Sequence, residues 1–177
     1  MTADDVRAIL ERNRISYILI GGHAVAARGY PRFTSDVDFM TTESRALNPA
    51  IWEELASAGA RIDSRRGDFD DPLGGVVHIT LPDEQEVDVV VGKWKWEQEV
   101  IDRSEKLDVA GMMVPVPTVA DLILLKLAAG GYHDLNDAAI LLEVNGRETV
   151  ASDVNARITR LPRDAQAAWQ RILAERT

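Results

Sequence analysis

The segment Thr34-Ser35-Asp36-Val37-Asp38-Phe39-Met40-Thr41 constrains the fold more than any other stretch of the chain. Val37 and Phe39 alternate with Asp36 and Asp38, the period of a β-strand with one buried face. The two carboxylates then share a face, where they repel each other unless a cation lies between them. Carboxylate oxygens are hard ligands that suit Mg²⁺ or Mn²⁺. Alone, Asp-x-Asp is also the pattern of a solvated strand face, so its meaning depends on what surrounds it. The 177 residues are 46% hydrophobic, enough for one compact domain or a core with a small appendage.

Several function classes are disfavoured at once. The net charge of -9 argues against broad, sequence-blind nucleic-acid binding, though not against a local basic surface. Cysteine is absent, which excludes disulfides and thiolate metal sites and fits a reducing cytoplasm. No apolar run approaches a membrane span, so no membrane partner is expected. The start, Met1-Thr2-Ala3-Asp4-Asp5, is acidic and does not read as a signal peptide.

Elements follow from periodicity and punctuation. A first helix is capped by Thr2 and ends near Arg14, and Ile15 to Ile20 is a strand. Gly21-Gly22 stops that strand, and a helix runs from His23 to Arg28. Thr34 to Thr41 is a second strand, and Leu47 to Ala58 a helix closed by Gly59. Arg61 to Ser64 is a short strand and Gly67 to Gly75 a loop. Val76 to Leu81 and Glu86 to Val91 are strands around a Pro82-Asp83 turn. A helix over Trp94 to Asp102 precedes a strand over Met112 to Val116. Helices then cover Thr118 to Ala129, Asp134 to Val144, Val150 to Arg160 and Arg163 to Arg176. The pattern predicts an α/β (α+β) mixed-sheet core over 1–116 and a helical C-terminal part over 117–177 packed on it.

Two features give the aspartate pair its weight. Gly21-Gly22 sits at a strand-to-helix junction, where glycine lets backbone approach a phosphate and the helix start offers N–H groups. Asp88 is an isolated acid in Val87-Asp88-Val89-Val90-Val91, unfavourable there unless paired or bound to metal. Three carboxylates from two strands can hold two metal ions that clamp a triphosphate and the leaving pyrophosphate. Asp88 can also take the proton of the attacking hydroxyl.

The run from Gly21 to Phe39 resembles the signature of nucleotidyltransferases related to the AbiEii toxins of toxin–antitoxin and abortive-infection systems. These belong to the DNA polymerase β-like nucleotidyltransferase superfamily. The resemblance continues through Val87-Asp88-Val89, Pro117 to Leu127 and His133 to Asp137, and covers roughly residues 15–145. It implies that Asp36, Asp38 and Asp88 bind metal, that Gly21 and Gly22 lie on the phosphate side, and that Lys126 lies near the nucleotide. Many superfamily members carry Gly-Ser in place of Gly21-Gly22, and Gly-Gly is common in the AbiEii-like branch. His133 stands where relatives often carry lysine.

Other residues carry two readings each. Arg32 can reach a triphosphate or form a surface ion pair. Lys126, in an apolar helix, either snorkels or meets an anion. His23 suits a cap or turn, and His78 a satisfied sheet position. His133, Asp134 and Asp137 suit capping and solvated charge more than a metal site. Trp94 and Trp96 among lysines can stack RNA or bury one indole. Arg61, Arg65 and Arg66 can meet a polyanionic substrate or balance nearby acids.

The expected activity is metal-dependent transfer of a nucleoside monophosphate from an NTP to a tRNA or protein hydroxyl, releasing pyrophosphate. Asp36, Asp38 and Asp88 are its catalytic and metal-binding residues, with Mg²⁺ or Mn²⁺ as cofactor. Gly21, Gly22, Arg32 and Lys126 hold the NTP. The resemblance implies a cytoplasmic toxin–antitoxin component with a cognate antitoxin as partner. The alternatives are a non-catalytic partner-binding or regulatory protein with the same fold, and a metal-dependent phosphodiesterase.

Overall fold

A computed structural model describes residues 1–31 and 33–175. Helix α1 (Ala3–Arg12) leads into strand β1 (Ile18–Ile20), helix α2 (Gly21–Ala27) and strand β2 (Val37–Thr41). Two 3₁₀ turns and the short helix α3 (Glu53–Ser57) precede strands β3 (Arg61–Arg66), β4 (Gly75–Thr80) and β5 (Glu86–Val91). Helix α4 (Lys95–Asp102) and a hairpin of β6 (Glu105–Val109) and β7 (Met112–Val116) follow. The remainder is helical: α5 (Val119–Ala129), α6 (Tyr132–Val144), α7 (Arg147–Asn155) and α8 (Arg163–Ala174). Among the described residues, no helix is long and apolar enough to cross a membrane.

The main sheet has the order β1-β2-β5-β4-β3. Strands β2 and β5 are parallel, and the other neighbours are antiparallel. Its two faces differ because the strands alternate. Val37, Phe39, Val77, Ile79, Val87, Val89 and Val91 are buried on one face. They join one apolar cluster with Val6 and Leu10 of α1, Trp52, and Ile123 and Leu127 of α5. On the other face Met40 pairs with Ile18 and meets Val100 and Ile101 of α4. This smaller cluster leaves the Asp38 end of that face uncovered by α4.

The structure redraws several expected boundaries. Pro49 interrupts the helix expected over Leu47 to Ala58, leaving two 3₁₀ turns and five α-helical residues. The expected first strand shortens to Ile18–Ile20, while β3 runs on to Arg66. The second strand begins at Val37, so Asp36 precedes it rather than sharing its pleat. Strand β6 has no counterpart in the sequence pattern, because its acids and Lys106 mask a half-exposed strand that pairs only with β7. The helix expected from Val150 starts at Arg147 and ends at Asn155.

Strand β7 hands over to α5 through a polar lock. The Thr118 side chain accepts the Asp121 N–H as helix cap. The fully buried Asp121 carboxylate accepts two Arg103 N–H bonds, at 3.0 and 2.8 Å, and the Thr118 hydroxyl at 2.9 Å. Removing the cation strands a buried charge. Arg103→Ala is therefore expected to destabilise the fold by about 2–3 kcal/mol. The check is a lower urea midpoint with an unchanged denaturant slope.

Candidate active site

The site begins with sheet register. Ile20 of β1 lies opposite Asp38 of β2, and Asp38 lies beside Asp88 of β5. Asp88 in turn lies opposite His78 of β4, and His78 opposite Asp63 of β3. Cross-strand partners share a face, so a polar row crosses the uncovered side of the sheet. Burial of Val37, Phe39, Val87 and Val89 forces this outcome, because side chains alternate with period two.

Glycine is required beside that row. Gly21 opens α2 with φ +66, and a Cβ there would lie 1.9 Å from Asp38 Oδ2. The backbone thus abuts the carboxylate as no side-chain-bearing residue could. Gly22 is buried behind it. The first-turn N–H groups of a helix lack intrahelical acceptors.

A cleft of about 340 Å³ gathers these groups. Gly21, Gly22, Asp36, Asp38 and Asp88 line it, with Glu86, Thr34, Lys126 and Asp134. Six of the seven residues expected at the site therefore meet in one cavity. The seventh, Arg32, lies outside the described residues, as do Arg176 and Thr177. Asp36 is exposed, and its Oδ1 accepts the Ser35 hydroxyl at 2.8 Å.

Lys126 meets an anion, as its apolar helix allowed. Its Nζ lies 2.7 Å from Asp134 Oδ1 and 2.9 Å from Asp137 Oδ2, and its side chain is only 11% exposed. Asp134 and Asp137 are thus not simply solvated charge: Asp137 is buried, and both fix the lysine to the cleft wall. His78 is more than a satisfied sheet residue. Its Nδ1 lies 2.7 Å from Asp88 Oδ1, a contact that sequence spacing does not announce. His23 instead faces a different hollow, beside Asp83 and Met112. Trp96 is partly buried against the core and Trp94 is half exposed, so neither indole is fully buried.

Electrostatics mark Asp38. Burial pushes its carboxyl above the ordinary range, and the charges of Asp88 and then Asp36 push it further. Lys126 and His23 oppose this without cancelling it. A cation at this point would remove the penalty, and the donors present are the carboxylate oxygens that Mg²⁺ and Mn²⁺ prefer. Among the described residues, no three acidic or imidazole side chains already converge as a metal cage. Mg²⁺ is commonly held by one or two carboxylates together with substrate phosphates, so the donor set fits such an ion.

No protein-family model matches the chain, and no curated protein matches it by sequence. Solved structures do. The antibiotic-resistance factor ANT(2'')-Ia in solution aligns with TM-score 0.60 at 19% identity, over 89% of this chain and 90% of that one. The same factor in complex with adenylyl-2''-tobramycin gives 0.55 at 17%, over 88% and 94%. The lincosamide antibiotic adenylyltransferase LnuA, lincomycin-bound, gives 0.53 at 12%, over 80% and 95%. The likeness is one of architecture: this chain has the nucleotidyltransferase fold.

Two outcomes follow from the packing. Gly21→Ala forces both a strained backbone and a collision with Asp38, and is expected to destabilise the protein by about 1–3 kcal/mol, read by thermal or urea unfolding. Asp38→Asn should act in the opposite direction. Because folding raises this carboxyl, its stability contribution is present below the ordinary carboxylate range and is lost as pH rises through the folded value. At neutral pH without divalent cations, the asparagine variant is expected to melt higher, on a scale of roughly 2–4 °C per kcal/mol relieved. The difference between the two proteins should vanish in acid.

Proposed function

We propose that this protein is an NTP-dependent nucleotidyltransferase that moves a nucleoside monophosphate to an acceptor hydroxyl and releases pyrophosphate. One observation carries the reading. Asp38 and Asp88 are side by side on parallel strands, with the Gly21 backbone against Asp38 in the same cleft. Carboxylates crowded in this way against their own repulsion are placed for positive charge, and glycine backbone beside them suits a phosphate.

Each residue then has a role. Asp36, Asp38 and Asp88 would hold Mg²⁺ or Mn²⁺. Such a cation, when bound, would supply charge neutralisation for the triphosphate and the departing pyrophosphate. Gly21 makes room for the Asp38 carboxylate, and the Gly21-Gly22 backbone offers N–H groups to the phosphates. Lys126, oriented by Asp134 and Asp137, supplies a fixed positive charge at the far wall. Arg32 supplies a further positive charge for the triphosphate, a role read from the sequence. Asp88 accepts the acceptor's proton, and His78 holds one of its oxygens so that the other faces the reaction.

The resemblance of Gly21 to Phe39 to AbiEii-like enzymes supports a finer reading. In it the protein is a cytoplasmic toxin–antitoxin component, a tRNA or protein hydroxyl is the acceptor, and a cognate antitoxin is the partner. The solved neighbours name other acceptors, tobramycin for one and lincomycin for another.

The test uses NTPs labelled at the α-phosphate, with Mg²⁺ or Mn²⁺ and total tRNA or cell lysate. Label should appear on an acceptor and fall by roughly a hundred- to a thousandfold in Asp36→Ala, the scale for losing a charge-stabilising group. No label from any NTP, together with no metal-dependent rise in melting temperature on adding NTP, would sink the catalytic reading.

A further inference from the structure

A second cleft adjoins the first. It has a volume of about 450 Å³ and lies over the uncovered face of β3, β4 and β5. Glu86 and Asp88 line both clefts, so the carboxylate proposed to take the acceptor's proton stands on the ridge between them. Resting on the nucleotidyltransferase reading, we infer that this second cleft is the acceptor subsite and that it takes a sugar phosphate.

Direction supports the first half. In phosphoryl chemistry the attacking and leaving oxygens are roughly in line. A triphosphate running along Gly21-Gly22 toward Lys126 sends pyrophosphate away from Asp88. The hydroxyl must then arrive from the other side of Asp88, which is where the second cleft opens.

Its walls support the second half. Arg61 and Arg65 project from the same face of β3, opposite Thr80 and Val76. Their partners are the exposed carboxylates of Glu84 at 3.1 Å and Asp63 at 2.7 Å, and both guanidinium groups are themselves exposed. Such surface pairs contribute only about 0–1 kcal/mol, so a phosphate can take over the guanidinium groups with little loss. Arginine grips phosphate with paired N–H bonds. Nearer Asp88 the lining turns to His78, Thr80 and Glu86, which can hydrogen-bond sugar hydroxyls, and the two carboxylates there repel a second anion. No Phe, Tyr or Trp is among the described lining residues, so the subsite offers no large stacking ring to a base or a flat drug. The phosphate therefore lies at the β3 rim and a hydroxyl at Asp88. That oxygen bonds to the α-phosphorus, the bond from the α-phosphorus to the α–β bridging oxygen breaks, and pyrophosphate leaves. The proton passes to Asp88.

The experiment supplies α-phosphate-labelled NTP and Mg²⁺ with three probes: ribose 5-phosphate, ribose, and a short single-stranded RNA with a free 3′-hydroxyl. Label is expected on ribose 5-phosphate or on the RNA and not on ribose. The two positive probes separate a free sugar phosphate from a polynucleotide end. The double variant Arg61→Ala with Arg65→Ala should raise the half-saturating concentration of the labelled probe roughly tenfold or more. The rise in melting temperature caused by Mg²⁺ and NTP should be the same as in wild type. Label on ribose as readily as on ribose 5-phosphate, label confined to added protein, or an unaltered double variant would each overturn the assignment while leaving nucleotidyl transfer standing. Failure of NTP to protect wild type, with no label on any probe, would overturn both.

Discussion

Everything at the cleft depends on the in-register parallel pairing of β2 with β5. Val37 beside Val87 and Phe39 beside Val89 lie in the core, so Asp38 beside Asp88 must lie on the opposite face. A slip of β2 by one residue would turn Asp38 into the core and Val37 and Phe39 out of it. Burial of that size, about 25 cal/mol per Å² of apolar area, outweighs the repulsion between two half-buried carboxylates. The hydrophobic effect thus holds charges in an arrangement that electrostatics alone would scatter.

The helical part contributes a counter-charge rather than a second site. Lys126 stands on α5, whose buried Leu122, Ile123, Leu124 and Leu127 tie it to the main core. Asp134 and Asp137 on α6 then hold its ammonium group from behind. A lysine on a flexible stem would sample many positions; this one has two carboxylate partners and little exposure. The Arg103–Asp121 lock keeps the start of α5 in place beneath it.

Much of the site was legible because its residues break local rules. Asp88 in a valine strand and Gly21-Gly22 at a strand end are exceptions that short-range periodicity exposes. Contacts that depend on register were not legible. His78 precedes Asp88 by ten residues, and only the β4–β5 alignment sets them opposite each other. Asp134 and Asp137 looked like helix-start acids because the approach of α6 to α5 leaves no mark in spacing. The second cleft was hidden likewise: Arg61 and Arg65 read as a charge cluster until β3 took its place at the sheet edge. Pro49 breaks the helix that the apolar pattern from Leu47 to Ala58 suggests, because proline removes a backbone donor and clashes with the preceding turn.

Parallel strands so far apart in the chain have a further consequence. Asp38 and Asp88 meet across a connection that contains α3, β3 and β4. Closing so long a loop is entropically expensive and comes late along a folding route. In a chain where β2 and β5 are unpaired these acids are solvated and apart, and their repulsion is small. The penalty arises only when the native sheet closes, so the molecule stores it in the finished state alone. A cation or a nucleotide–metal complex that relieves it can bind only the native chain, and acts as a latch on folding as well as a participant in chemistry.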